Sequence, residues 1–239
     1  MLRKLVNLDH YTPLELILFA GGCYLWVIVY YIYVRNIMKH RCIDMPIFAA
    51  CGNFAWEFVW SWIMPTTDMG LLLVWAYRIW FFLDCYIIYG VVRYCHYQIA
   101  EPEMKKNYKL ICYSSVIFWG LLLTFYKMQG MDTAIGANSA YILQMFISIL
   151  YVILIIRQPK GVMFSYPIAW LRMVGTATNT IFMFMHYPDN YFLCTLAASS
   201  FVIDNAYIYL FIQKRKANKN WNWDNIAGVG EQRKVKMAT

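Results

Sequence analysis

Seven uninterrupted apolar runs, each roughly 20 residues and so about 30 Å long as a helix, divide this chain. They lie at Leu14 to Val34, Asp44 to Met64, Gly70 to Arg93, Leu110 to Tyr126, Ala134 to Ile156, Ser165 to His186 and Tyr191 to Ile212. A stretch of this kind in hydrocarbon must satisfy every backbone N–H and C=O within itself, which leaves the transmembrane helix as its fold. Pro65, Pro102, Pro159 and Pro188, or clustered charge, punctuate the breaks. Strands of a membrane barrel would instead read as ~10-residue segments alternating apolar with polar. The first run follows a dozen mixed residues, exceeds the apolar core of a signal peptide and lacks a convincing cleavage site, so it is expected to remain as a span. The sequence therefore predicts an all-α, seven-transmembrane-helix bundle over residues 1–213, followed by a basic tail over 214–239. Of the 239 residues only 14% are charged, against about 25% in soluble domains, and no separate soluble domain fits.

Basic residues fix the expected orientation, because cytoplasmic loops keep an excess of Lys and Arg. Arg35, Lys39, Arg41, Arg93, Lys105, Lys106, Lys109, Arg157, Lys160 and the tail from Lys214, Arg215 and Lys216 to Lys236 fall on one side. The other side holds Arg3, Lys4 and Lys127. The N-terminus is thus expected outside and the C-terminus in the cytosol. The net charge of +8 follows from this bias and the tail. Lys214 to Lys219, beside Trp221 and Trp223, suits anionic membrane lipids rather than nucleic acid. The seven cysteines are scattered singly and mostly within spans, as packing residues rather than a metal site or disulfide framework.

An ionisable side chain near the bilayer centre costs at least ~2.5 to 3.5 kcal/mol, so each one marks a candidate site. Glu57, Arg78, Asp84, Arg172 and Asp204 qualify. At 1.5 Å per residue, Glu57 falls roughly 10 Å and Arg78 about 12 Å below the outer face, with Asp84 and Asp204 near ~20 Å. Asn138 and Asn179 lie in the outer half and Arg172 in the inner half. Asn53 and Glu57 stand at i and i+4 on one face of the second span, beside a stripe of Trp56 and Trp60. Aromatic walls solvate a carboxylate poorly and favour the neutral acid, which suits Glu57 to general-acid chemistry. A structural hydrogen bond from Glu57 to Arg78 or Asn138 is the alternative. Ser200, Asp204 and Tyr207 share one face of the last span, where Asp204 is either functional or bonded to Tyr207 or another helix. Trp80 and Asp84 share a face of the third span; Arg78 is expected to pair with a carboxylate, and both Arg78 and Asp84 read as support for a pocket. His186 lies at a span end, as an interfacial residue.

The seventh span carries no Lys for a retinal Schiff base. No DDxxD-like, HExxH, GxSxG or P-loop motif is present, so the sequence gives no support to diphosphate ionisation, zinc proteolysis, serine hydrolysis or nucleotide chemistry.

The string Cys51-Gly52-Asn53-Phe54-Ala55-Trp56-Glu57-Phe58-Val59, with Val202-Ile203-Asp204 on the last span, resembles the integral-membrane terpene cyclases of fungal meroterpenoid and indole-diterpene pathways, which have bacterial relatives. The resemblance covers nearly the whole chain. It implies proton-initiated cyclisation of a prenyl chain, often epoxide-terminated, on an aromatic or meroterpenoid head group. Glu57 and Asp204 are the implied acids, with Asn53 and Trp56 matching the motif; neither cofactor nor metal is implied. Trp60, Arg78, Trp80, Asp84, Asn138 and Tyr207 join the expected substrate pocket from depth and polarity. The expected partners are a lipophilic prenylated small molecule and membrane lipids, with a prenyltransferase and an epoxidase acting upstream. The expected location is the endoplasmic reticulum of a eukaryote or the cytoplasmic membrane of a bacterium. The competing readings are a small proton-coupled seven-helix transporter and a seven-helix receptor. Spans one to three do not resemble spans five to seven, and the loops are short, which weighs against each in turn.

Overall fold

The computed structural model describes residues 4–65, 67–99, 101–157 and 164–217, and among these every regular element is helical. Helix α1 covers Pro13–His40, α2 Ile47–Phe58, α3 Leu71–Tyr94, α4 Pro102–Lys106, α5 Tyr108–Met128, α6 Ala137–Arg157, α7 Tyr166–His186 and α8 Tyr191–Ala217. A π-helical turn, Val59–Ile63, continues α2, and a 3₁₀ turn, Cys95–Gln98, closes α3. Most of the tail, with Lys219, Trp221, Trp223 and Lys236, lies outside the described residues, as do Pro159 and Lys160.

Local chemistry sets the helix ends. The Thr12 hydroxyl accepts from the backbone N–H of Glu15, whose carboxylate accepts from the Thr12 N–H, a reciprocal box reinforced by Pro13 in the first turn. At the other end of α1, Arg41 takes a left-handed conformation (φ 51°) and its N–H returns to the Ile37 carbonyl. The second apolar run begins at Asp44, but α2 begins only after Pro46, because Asp44 is committed elsewhere: its carboxylate accepts from the Ser165 N–H at 2.9 Å, at the start of α7.

Five helical segments are long and apolar enough to cross a membrane: α1, α3 with its 3₁₀ turn, α5, α6 and α8. The other two long segments differ for physical reasons. Helix α2 is interrupted early by its π turn. Helix α7 matches them in length but turns Arg172, Thr176, Asn179 and Thr180 toward other helices.

Packing closes α1, α7, α8, α6, α2 and α3 into a ring, each touching the next and α3 returning to α1, while α5 braces α2. At the α1–α7 seam the backbones approach so closely that a Cβ on Gly22 would overlap the Asn179 side chain and meet the Gly175 carbonyl oxygen at 2.9 Å. Small residues are what allow this approach. At one end of the ring, residues 4–7 form a strap against the turn before α3. The N–H groups of Leu71 and Leu72 donate to the carbonyls of Lys4 and Leu5, and Asn7 N–H donates to that of Met69. Gly70, at φ +119°, is required there, since a Cβ would stand 2.5 Å from the Leu5 oxygen.

Candidate active site

Inside the ring, α1, α2, α3, α6 and α7 enclose a cavity of about 140 Å³. Helix α2 contributes Asn53, Trp56 and Glu57, the face predicted by their spacing. Tyr77 and Trp80 come from α3, Tyr30 and Trp26 from α1, Gln144 from α6, and Thr176 and Asn179 from α7.

Glu57 is 4% exposed, and its Oε2 has no hydrogen-bond partner among the described residues. The Trp80 Nε1–H and Asn179 Oδ1, on other walls of the same cavity, are likewise unpartnered and buried. Buried polar atoms are seldom left unmade in folded proteins, so Glu57 and Trp80, two residues of one cavity wall with unpartnered polar atoms, mark a place for polar atoms of a ligand; the Asn179 oxygen packs instead against Gly22 of α1. Neither alternative partner for Glu57 is at hand. Asn138 instead donates to the Met131 carbonyl and accepts from Asn190 at the start of α6. Arg78 stands over the rings of Trp62 and Trp75, its guanidinium 5.0 and 4.9 Å from their centroids, and donates to the Ser61 carbonyl. The carboxylate expected for Arg78 is therefore replaced by two indole faces and a backbone oxygen.

The remaining sequence candidates separate into layers. Trp56 lines the cavity and donates its Nε1–H to the Ser139 hydroxyl at 2.9 Å. Trp60 stands behind it, ring centroids 5.7 Å apart, with the Lys127 ammonium over its ring. Asp84 is also one layer back: Asn53 donates to its Oδ2 at 2.6 Å and to the Tyr30 hydroxyl. Asn53 thereby joins α2, α3 and α1 beside Glu57.

Asp204 is fully buried and does not line the cavity. Its Oδ1 accepts from Arg172 Nη2 at 2.6 Å, and its Oδ2 stands 3.5 Å from Nε2 of Gln144, a cavity residue that also donates to Thr176. Ser200 and Tyr207 share its buried face as predicted, yet the Tyr207 hydroxyl is unpartnered and Asp204 bonds Arg172 instead. The Arg172 guanidinium lies 3.9 Å from the Tyr151 ring centroid and 5.2 Å from that of Tyr207. The Tyr151 hydroxyl is hydrogen-bonded to that of Tyr33. His186, expected at an interface, accepts or donates a hydrogen bond at Glu15 and stacks on Tyr11.

Gln144, Tyr30, Tyr77 and Thr176 escaped sequence reasoning because a search for charge passes over neutral polar side chains. Gln144, near the middle of the fifth apolar run, was the available signal. Outside the helices, burial raises the Asp132 carboxyl above its ordinary value, opposed by the N–H groups of Thr133, Asn138 and Ser139 that it accepts at the start of α6. Among the described residues no three His, Cys, Asp or Glu side chains converge into a set that could hold a metal ion.

Residues 7–217 match the family model described as Pyr4-like transmembrane terpene cyclases. The chain is 24% identical over 185 residues to the Pyr4-family terpene cyclase mfmH of Annulohypoxylon moriforme, covering 74% of this chain and 73% of that protein. It is 23% identical over 207 residues to terpene cyclase macJ of Penicillium terrestre, covering 80% and 78%. With terpene cyclase ascF of Acremonium egyptiacum it shares 30% over 104 residues, 42% of this chain and 36% of that one. No solved structure matches.

Proposed function

The chain belongs to the Pyr4-like transmembrane terpene cyclases, and on that premise we propose that it cyclises a prenyl chain, epoxide-terminated and carried on an aromatic or meroterpenoid head group, by proton initiation from Glu57. One observation carries this reading: a buried carboxyl with an unpartnered oxygen faces a cavity walled by indole and phenol rings.

Glu57, held in the cavity wall and acting as the neutral acid, aims its proton at the epoxide oxygen, or at a terminal alkene. Protonation breaks the C–O bond as alkene carbons close C–C bonds. The last cation loses a proton, and the product is an isomer of the substrate. Trp56, Trp80, Tyr30 and Tyr77 line the cavity, and a ring face turned to the passing positive charge attracts it by about 0.5–2 kcal/mol. No diphosphate leaving group is involved. Asp204, ion-paired with Arg172, serves as the second essential carboxyl by fixing Gln144 in the cavity wall. Trp60, Arg78, Asp84, Asn138 and Tyr207 support the pocket from behind. The chain works as an integral membrane protein of seven spans, with N-terminus outside and C-terminus in the cytosol, in the endoplasmic reticulum of a eukaryote or the cytoplasmic membrane of a bacterium. Its substrate arrives from prenyltransferase and epoxidase steps.

Membrane fractions carrying wild type, Glu57→Gln or Asp204→Asn are incubated with epoxidised and plain prenylated aromatics, and products are read by mass spectrometry and NMR. A cyclised isomer of unchanged mass is expected from wild type, with Glu57→Gln at least about 100-fold slower and Asp204→Asn also impaired although both insert normally. No product from any substrate, or equal product from the variants, would shift the intramembrane carboxyls to proton relay in a transporter.

A further inference from the structure

A second, larger space adjoins the first. Between α1 and α3 lies a chamber of about 450 Å³, against about 140 Å³ for the aromatic cavity; it opens on the outside of the ring, where its lining residues Ala20, Tyr24, Leu72 and Ile79 are exposed. A dry cavity of ~150 Å³ accommodates one benzene ring, so the smaller space holds about one ring's worth of substrate. A prenyl chain of several isoprene units needs more.

Ala20 on α1 and Ala76 on α3 contribute small side chains to its lining. Its walls are otherwise supplied by Leu16, Val27, Leu72, Leu73 and Ile79, and polar atoms are confined to Cys23, Tyr24 and the Trp80 indole. Phe19, Cys23 and Trp80 line both spaces, so the two share a wall at these residues. Val6 and Met69 close one end, where the strap of residues 4–7 is hydrogen-bonded to the turn containing Gly70.

We infer that this α1–α3 chamber is a binding site for the isoprenoid chain: the reacting end, the terminal unit with the alkene of the next unit that closes on it, lies in the aromatic cavity beside Glu57, and the trailing units pass Phe19, Cys23 and Trp80 into the chamber. The inference rests on the cyclase reading for the identity of the ligand. Three features select a trailing prenyl chain as occupant. The chamber has an almost wholly apolar lining, it adjoins the site that needs only the chain's end, and its capped end limits the length it holds. Chain-length preference then resides in Ala20 and Ala76, which line this chamber and not the aromatic cavity.

The test has two arms. In the first, a prenylated aromatic with a diazirine on an internal isoprene unit is photolysed in membranes holding the wild-type chain, and adducts are mapped by mass spectrometry. Adducts on Leu16 to Val27 and Leu72 to Trp80, suppressed by unlabelled prenyl substrate, are expected. Adducts elsewhere, or labelling of the same residues by a diazirine phospholipid that prenyl substrate does not displace, would overturn the inference and assign the chamber to lipid. In the second, kcat/KM is measured for substrates of two, three and four isoprene units with Ala76→Phe and, independently, Ala20→Phe. The loss is expected to grow with chain length, from a few-fold at two units to more than tenfold at four. An equal loss at every length, or none, would overturn it. Should wild type turn over no substrate, the cyclase reading fails while photolabelling still decides the chamber.

Discussion

Glu57 and Asp204 are both buried carboxyls, yet their neighbours assign them different work. Glu57 faces the cavity with an unpartnered oxygen, whereas Asp204 is held by a guanidinium at 2.6 Å that is itself sandwiched near Tyr151 and Tyr207. Removing one member of a buried ion pair leaves the other uncompensated, typically at a cost of 3–5 kcal/mol, while replacing both with apolar groups is often nearly neutral. Arg172→Met alone is therefore expected to lower the yield of folded, detergent-soluble protein. The double variant Arg172→Met/Asp204→Leu should recover that yield yet stay impaired in turnover, because Gln144 loses its anchor. Recovery of both, read by size-exclusion chromatography and product assay, would reduce the pair to a structural contact. The two-residue logic at Asn53 and Glu57 was legible from their spacing. The Arg172–Asp204 pair was not, since its members lie 32 residues apart on different helices.

At the scale of elements, two departures from straight helices shape the site. The π turn that follows α2 begins two residues after Glu57 and places Trp60 against Trp56; such turns recur at functional sites. The α1–α7 seam depends on Gly22, where a Cβ would overlap the facing helix, and on Gly175, where one would be tight at 3.0–3.3 Å from its neighbours. Gly22→Val should drive α1 off Asn179, a cavity residue, and lower the melting temperature in detergent by several degrees, at about 2–4 °C per kcal/mol for a chain of this size. Gly21→Val, one position away where nothing stands within 4 Å of a Cβ, should leave it nearly unchanged. Equal melting of the two variants would show that the seam tolerates a side chain. The helix positions were readable because apolar runs and proline breaks are local. The seam was not, because Gly21 and Gly22 look identical in sequence and only packing tells them apart.

For the whole molecule, the ring of six helices braced by α5 gives one end to the strap of residues 4–7 and the other to the basic residues of Arg41, Arg93 and Arg157. With cytoplasmic loops carrying the Lys and Arg excess, a glycosylation acceptor fused at the N-terminus should be modified in microsomes and one at the C-terminus should not. The reverse pattern would invert the molecule and put the strap in the cytosol. Sequence by itself determined the helical class, the segment positions and the Asn53–Trp56–Glu57 face, since each follows from hydrocarbon's demand for internally bonded backbone and from the 3.6-residue period. Only tertiary structure decided which polar groups meet. Every long helix here is apolar around most of its circumference, so sequence leaves its rotation and its neighbours open. Those rotations placed Gln144, Tyr30 and Thr176 in the cavity wall, set Arg78 over two indoles, and withdrew Asp204 behind it to Arg172.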